Sequence, residues 1–393
     1  MMRATLMKYQ RHNKNNGDIT IRVVCAVVFL LFTFCWLFFF QADMLAVAQH
    51  GLSHGVTHYN RIVGAIIITA VLFLVHLLVF ALIRLSRRTH ALTYLPSFLL
   101  LAFVSGLSSP FSWGAWLWAA PLVLLAWGGL VVLARKVMPF GADAHQPTGI
   151  FSRRSWMNLL QMAAMMAAVA AVTNTNAIDH YKAHVEVALE QGRVDDALRT
   201  GERSLETDAS LTMLRVFALS QKGQLADRLF AYALTGTSND LLPLAGSKSH
   251  LLLLPDSVLW KHFGVSPDSI LAGRRPTVAQ YLDSLEHDTL ATTAWRDYRL
   301  AAMLIDRRLD DFAAALPRYY TIDADSLPVH YREALVLYGQ QRDTLLCPDS
   351  AMLERWHEYA RYDTLYQRES ERRIRREEDF RSTFWYYYSL NKH

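Results

Sequence analysis

Charged residues and cysteines are scarce in this chain. Only 19% of its 393 residues are Asp, Glu, Lys or Arg, whereas a soluble globular protein usually carries about 25%. With 52% hydrophobic residues the chain is neither disordered nor a single soluble domain. Three cysteines are too few for a disulfide-rich secreted module. The sequence also lacks a Walker loop, a dinucleotide-binding fingerprint, a zinc-protease motif and a Cys-x-x-Cys pair. These absences favour a non-enzymatic protein, and we expect no cofactor.

The charge is unevenly distributed along the chain. Residues 1–155 contain 13 Lys and Arg and three Asp and Glu, whereas residues 156–393 contain 27 and 32. The overall net charge of +5 therefore combines a basic, apolar first part of +10 with an acidic, polar second part of −5. Because the basic residues flank apolar runs, they favour a membrane protein and weaken the case for nucleic-acid binding, so we expect no nucleic-acid partner.

Five apolar runs predict a transmembrane helix bundle over 21–174. The spans are expected near 21–41, 62–83, 92–107, 113–134 and 156–173, since about 20 apolar residues cross the hydrocarbon core as a helix. The third run is short and contains Pro96 and Gly106. It is either a tilted full span or a re-entrant segment paired with the following run.

The basic clusters favour five spans and fix the orientation. With five spans, every cluster falls on one side of the membrane, and the positive-inside rule makes that side cytoplasmic. Residues 1–20 are then a basic cytoplasmic tail, and residues 178–393 form an extracytoplasmic domain. With four spans, the last basic cluster, which contains Arg135, Lys136, Arg153 and Arg154, would lie outside.

The second part predicts an all-α domain of stacked helices. Apolar positions recur at helical spacing on both sides of Gly192 and Gly223, which lie 31 residues apart. Antiparallel helix pairs at this period are typical of helical-repeat solenoids. The first pair resembles a tetratricopeptide repeat at Tyr181, Ala188, Gly192 and Ala197. With the second pair, the resemblance is to a degenerate repeat and covers about 55 residues of the chain.

A broader resemblance rests on three segments. They are Gly55-Val56-Thr57-His58-Tyr59-Asn60-Arg61, the stretch from Leu219 to Tyr232, and the aromatic run Phe384-Trp385-Tyr386-Tyr387-Tyr388. Together they resemble an uncharacterised family of bacterial multi-span inner-membrane proteins with a tetratricopeptide-like extracytoplasmic domain. The resemblance implies this architecture and location, but no activity.

The predicted first outer loop contains the residues that suggest chemistry. His50, His54 and His58 recur every four residues and would share one face of a continuous helix, where imidazoles bind metals. Gly51 and Gly55 argue against such a helix, and histidines bonded to water or headgroups are the alternative. Asp43 is a candidate general base or metal ligand, or simply an interfacial charge.

In the second part, Tyr181, Arg215, Arg228 and Tyr232 are the candidate binding residues of a solenoid surface. The charge run 369–378 predicts a solvated helix whose charges pair with one another. The aromatic C-terminus either plugs the end of the solenoid or docks on the lipid interface.

Two functions fit these observations. The first is an interaction scaffold at the extracytoplasmic face of the membrane, with the lipid bilayer and a protein or peptide as partners. The second is an enzyme or transfer protein that acts on lipid-linked envelope glycans through the first outer loop.

Overall fold

The structure is a computed structural model, and it describes residues 2–83, 85, 89–106, 112–137, 152–271, 276–344 and 349–390. The prediction of an all-α fold is confirmed, because the described residues form helices and turns and no strand. The chain divides into two compact units, Met1–Asn176 and Ala177–His393.

The first unit consists of apolar helices. These are α1 (Met2–Cys35, continued by a π-helical turn at Trp36–Phe40), α2 (Ala42–Ser53), α3 (Arg61–Ile83), a 3₁₀ segment (His90–Tyr94) that leads into α4 (Leu95–Ser105), α5 (Ser112–Val137) and α6 (Arg153–Val172). Its interior is aromatic: the ring of Phe29 lies 5.1 Å from those of Tyr94 and Phe98. Asn158, one of two amides in the last apolar run, is fully buried and accepts a hydrogen bond from the Ala91 amide at 2.8 Å.

Four described helices are long and apolar enough to cross a membrane. They cover Ile19–Phe40, Arg61–Ile83, Trp118–Lys136 and Arg153–Val172, and they correspond to four of the five predicted spans. The remaining predicted span, 92–107, is the shorter apolar element His90–Ser105. The first unit is therefore compatible with a multi-pass membrane protein.

The second unit is a stack of shorter helices. They are α7 (Ala177–Glu190), α8 (Val194–Arg199), α9 (Ala209–Gln221), α10 (Leu225–Arg228), α11 (Asp256–Phe263), α12 (Pro267–Leu271), α13 (Val278–Glu286), α14 (Ala294–Ile305), α15 (Leu309–Ala315), α16 (Val329–Arg342), α17 (Ser350–Leu365), α18 (Glu369–Phe380) and α19 (Phe384–Ser389), with 3₁₀ turns at Leu229–Ala231, Ser238–Asp240 and Leu316–Arg318.

The turns at Gly192 and Gly223 lie between paired helices, as their spacing predicts. Both glycines have positive φ, +70° and +65°, which only glycine adopts without strain. The second helix of each pair is short, however, since α8 has six residues and α10 has four. The chain leaves α8 at Thr200 because Gly201, with φ +61°, cannot continue a right-handed helix.

Candidate functional site

The structure does not place the three histidines of the first loop on one continuous helix. Helix α2 ends at Ser53, and His54 caps it in the left-handed conformation with its amide donating to the His50 carbonyl. His58 follows in the connection to α3, so the three imidazoles do not share a helical face. Asp43 and His50 lie on one side of α2 but two turns apart, about 10 Å along the axis. Among the described residues, no three His, Cys, Asp or Glu side chains are placed to hold a metal.

An apolar cavity of about 300 Å³ lies along the other side of α2. It is lined by Leu45, Ala48, Gln49 and Leu52, spaced as one helical face, and by Ile68 of α3 and Val104 of α4. Asp43 is two residues from Leu45, about 200° around the helix, and is not among the lining residues. The candidate carboxylate and the cavity therefore lie on different sides of α2.

The four candidate binding residues of the second unit do form one cluster. Its centre is Arg215, which is 1% exposed and donates from Nη2 to the Gly201 carbonyl at 2.9 Å. The Arg215 guanidinium lies over the Tyr232 ring at 5.2 Å, and the Tyr181 ring packs against Gly201. Arg228 pairs with Glu202 at 2.8 Å.

Arg215 and Tyr232, at the centre of this cluster, face inward, whereas Tyr181 and Arg228 are partly exposed. The Tyr232 hydroxyl donates to the Leu198 carbonyl at 3.0 Å, and Tyr232 is 4% exposed. Burial lowers the pKa of Arg215 and raises the pKa of Tyr232. Arg215 and Tyr232 therefore do not lie on the open solenoid surface that the sequence predicted, because the loop at Gly201 folds over them. Their bonds to backbone carbonyls hold the α8–α9 connection in place.

The aromatic C-terminus belongs to the core of the second unit. Phe384 and Trp385 are 0% and 1% exposed. Both are fixed by Glu333, whose side chain accepts from the Phe384 amide at 2.7 Å and whose carbonyl accepts from Trp385 Nε1 at 2.7 Å. Of the two alternatives for this segment, the structure therefore supports the plug.

A cavity that the sequence did not indicate lies between α18 and α19. It measures about 120 Å³ and is lined by Glu369, Arg372, Arg373, Arg376, Tyr386, Ser389 and Leu390. Arg372 and Arg376 both pair with Asp363 of α17, at 3.5 and 2.7 Å, and the Arg376 guanidinium lies 4.3 Å from the centre of the Tyr359 ring. The charge run of α18 is thus partly paired across helices, and not only along itself as its spacing predicts.

This arrangement is suited to an acidic group. Guanidinium groups bind carboxylates and phosphates through paired N–H donors, and hydroxyl groups at Tyr386 and Ser389 adjoin them. The helical spacing of Arg372, Arg373 and Arg376 does not predict that they line one cavity. The cavity exists only because α19 folds back beside α18, which is a tertiary contact.

Comparison with known proteins adds a match to one family. Residues 268–391 match the model of a family of unknown function, DUF6057. The matched segment is about a third of the chain, and it includes the arginine-lined cavity and the Glu333 contacts with the C-terminus. No curated protein and no solved structure matches the chain.

Proposed function

We propose that this protein is a membrane-anchored interaction scaffold that holds a protein partner at the extracytoplasmic face of a bacterial inner membrane. The first unit is the anchor, and its N-terminal tail lies in the cytoplasm. The second unit is a degenerate, tetratricopeptide-like helical stack that binds an acidic segment of the partner. The observation that carries this proposal is the arginine-lined cavity between α18 and α19.

The outward faces of the first unit support the anchor. Large apolar side chains on its long helices are more than half exposed: Leu31, Leu74, Leu78, Leu125 and Leu160. In water, such a continuous apolar surface would drive aggregation. In a bilayer the same side chains contact lipid tails at no such penalty.

The length of His90–Ser105 bears on the orientation. Five 3₁₀ residues and eleven α-helical residues rise about 26 Å, against a hydrocarbon core of about 30 Å. Flanking side chains and local bilayer thinning accommodate a mismatch of this size. A fifth crossing is therefore physically reasonable, and it places all the basic clusters on one side.

The cavity supports acidic recognition because its arginines are already positioned. Arg376 is held by Asp363 and by the ring of Tyr359, so little side-chain freedom is lost when a ligand binds. Arg373 lines the same cavity beside Tyr386. A glutamate, an aspartate or a chain-terminal carboxylate of a partner would meet several N–H donors there.

Cross-linking in native membranes followed by purification tests the scaffold. We expect the full chain to recover a partner, and the double variant Arg372→Ala, Arg373→Ala to recover at least tenfold less. Arg361→Ala is the matched control, because Arg361 is an exposed arginine of neighbouring α17 outside the cavity. Equal recovery by both variants, or no partner with the unaltered chain, would contradict the proposal.

The second candidate is action on lipid-linked envelope glycans. The observation that favours it is the apolar cavity beside α2, whose volume is at the lower end of the range for small-ligand pockets. Asp43→Ala and His54→Ala separate the two candidates. A loss of function equal to deletion of the gene would favour chemistry in the first loop, whereas an unchanged phenotype favours the scaffold.

A further inference from the structure

Two histidine rings lie side by side inside the first unit. His76 of α3 and His90 at the start of the 3₁₀ segment are 3% and 4% exposed, and their ring centroids are 5.8 Å apart. Aromatic rings enclose them: Tyr94 stacks on His76 at 3.5 Å, and Phe80 meets His90 edge-on at 5.3 Å. The pair is therefore shielded from solvent on several sides.

The hydrogen bonds of Thr93 determine which nitrogen of His76 carries the proton. The Thr93 hydroxyl donates its single hydrogen to the His90 carbonyl at 2.7 Å. Its oxygen must therefore act as the acceptor in the 3.3 Å contact with His76 Nδ1. His76 is then protonated on Nδ1, and its lone pair is on Nε2.

The ring of His90 is not fixed by hydrogen bonds in this way. Neither of its ring nitrogens has a hydrogen-bond partner among the described residues, although both are buried. Buried polar atoms in native proteins are nearly always satisfied, and an exception usually marks a bound water, an ion or a functional role. A second imidazole with an available lone pair lies directly beside this one, which points to a shared ligand.

We propose that His76 and His90 together bind a single Cu(I) ion. Metal–nitrogen bonds to histidine are about 2.0 Å long, so rings with centroids 5.8 Å apart are close enough to share one ion. Thr93 is the positioning residue, because it accepts from Nδ1 of His76 in the manner of the outer contacts that orient metal-bound histidines.

The surroundings favour a monovalent ion over Zn(II). The described residues supply no third His, Cys, Asp or Glu ligand, whereas zinc sites are almost always four-coordinate. The energy needed to bury an ion grows with the square of its charge. A cation also lies close to the pair: the Arg22 guanidinium is 4.8 Å from the centre of the Phe80 ring that faces His90. Cu(I), which is monovalent and accepts two neutral nitrogen ligands, satisfies these constraints.

Equilibrium competition with a Cu(I) chelator, under reducing conditions and on the full chain in detergent, tests this site. We expect one Cu(I) per chain, and at least a hundredfold weaker binding in His76→Leu and in His90→Leu. Thr93→Val should weaken binding about tenfold. His357→Leu is the control, because His357 is exposed on α17 of the second unit, and it should bind as the unaltered chain does. Zn(II) should not compete.

Two further measurements keep the outcome decisive. Circular dichroism and gel filtration establish that each variant is folded before its affinity is compared. X-ray absorption of the unaltered chain requires no variant, and it should show copper bound by two nitrogen ligands. No retained copper, sulfur ligands, or unchanged affinity in the folded His76→Leu, His90→Leu double variant would overturn the proposal.

Discussion

Glu186 should be among the most sensitive positions of the second unit. Its carboxylate is completely buried and accepts the backbone amides of Leu252, Leu253 and Leu254 at 2.7–2.9 Å. Glu186→Ala would leave these donors without an acceptor, and each buried, unsatisfied group destabilises by about 1–3 kcal/mol. Because the Leu252 amide is only partly buried, we expect a total loss of about 3–5 kcal/mol. Glu186→Gln keeps an acceptor oxygen and should lose about half as much.

Hydrogen exchange of the full chain measures this loss locally. The amides of Leu252, Leu253 and Leu254 should exchange faster in Glu186→Ala by a factor that corresponds to the lost stability, while the first unit is unaffected. Glu190→Ala is the matched control, since Glu190 is exposed one turn further along α7. It should change stability by about 0.5 kcal/mol or less. Equal protection of the three amides in both variants would refute the assigned role of Glu186.

Three other predictions concern stability. Gly201→Ala should destabilise the second unit by about 2–3 kcal/mol in thermal unfolding, because the backbone is left-handed and the new Cβ would lie 3.0 Å from the Tyr181 ring. Gly192 is also left-handed but faces open space, so Gly192→Ala should lower the stability by only about 1 kcal/mol. Burial raises the pKa of Glu186 despite its three amide donors. The stability that this group contributes is therefore greatest below its unfolded-state pKa and is lost as pH rises through the raised folded-state pKa. In a pH series of unfolding midpoints, Glu186→Gln should remove this decrease of stability with pH. Without copper, His90→Leu should not destabilise the first unit, since it removes a buried ring that has no hydrogen-bond partner among the described residues. Asn158→Leu should lower the stability of this unit by about 1–3 kcal/mol, because it breaks the bond to Ala91.

Periodic patterns in the sequence predicted the helical elements well. Four long apolar runs appear as four long apolar helices, and turn glycines at 192 and 223 have the positive φ that their role requires. Asp349 caps α17 by accepting from the Met352 amide at 2.9 Å, a role for which Asp is favoured at a helix N-terminus. These features depend on residues close together in the chain, so local rules are sufficient.

Contacts between distant residues were not predictable in this way. Glu186 binds amides 66–68 residues away, and Glu333 binds the C-terminal segment about 50 residues away. Arg215 looks like a surface cation in the sequence, but the left-handed turn at Gly201 closes over it. The His76–His90 pair and the arginine-lined cavity likewise arise from tertiary packing. A single sequence contains no periodic signal for them.

The side of the membrane on which each unit lies tests the central claim most directly. In a background without the native cysteines, Thr364→Cys places a thiol on an exposed position of α17, and Lys8→Cys places one in the basic tail. In intact bacterial cells with a permeabilised outer membrane, an impermeant maleimide should label Thr364→Cys at once and Lys8→Cys only after lysis. Labelling of both thiols before lysis, or of neither, would place the two ends on one side of the membrane. That result would exclude a crossing at His90–Ser105 and contradict an extracytoplasmic scaffold with a cytoplasmic tail.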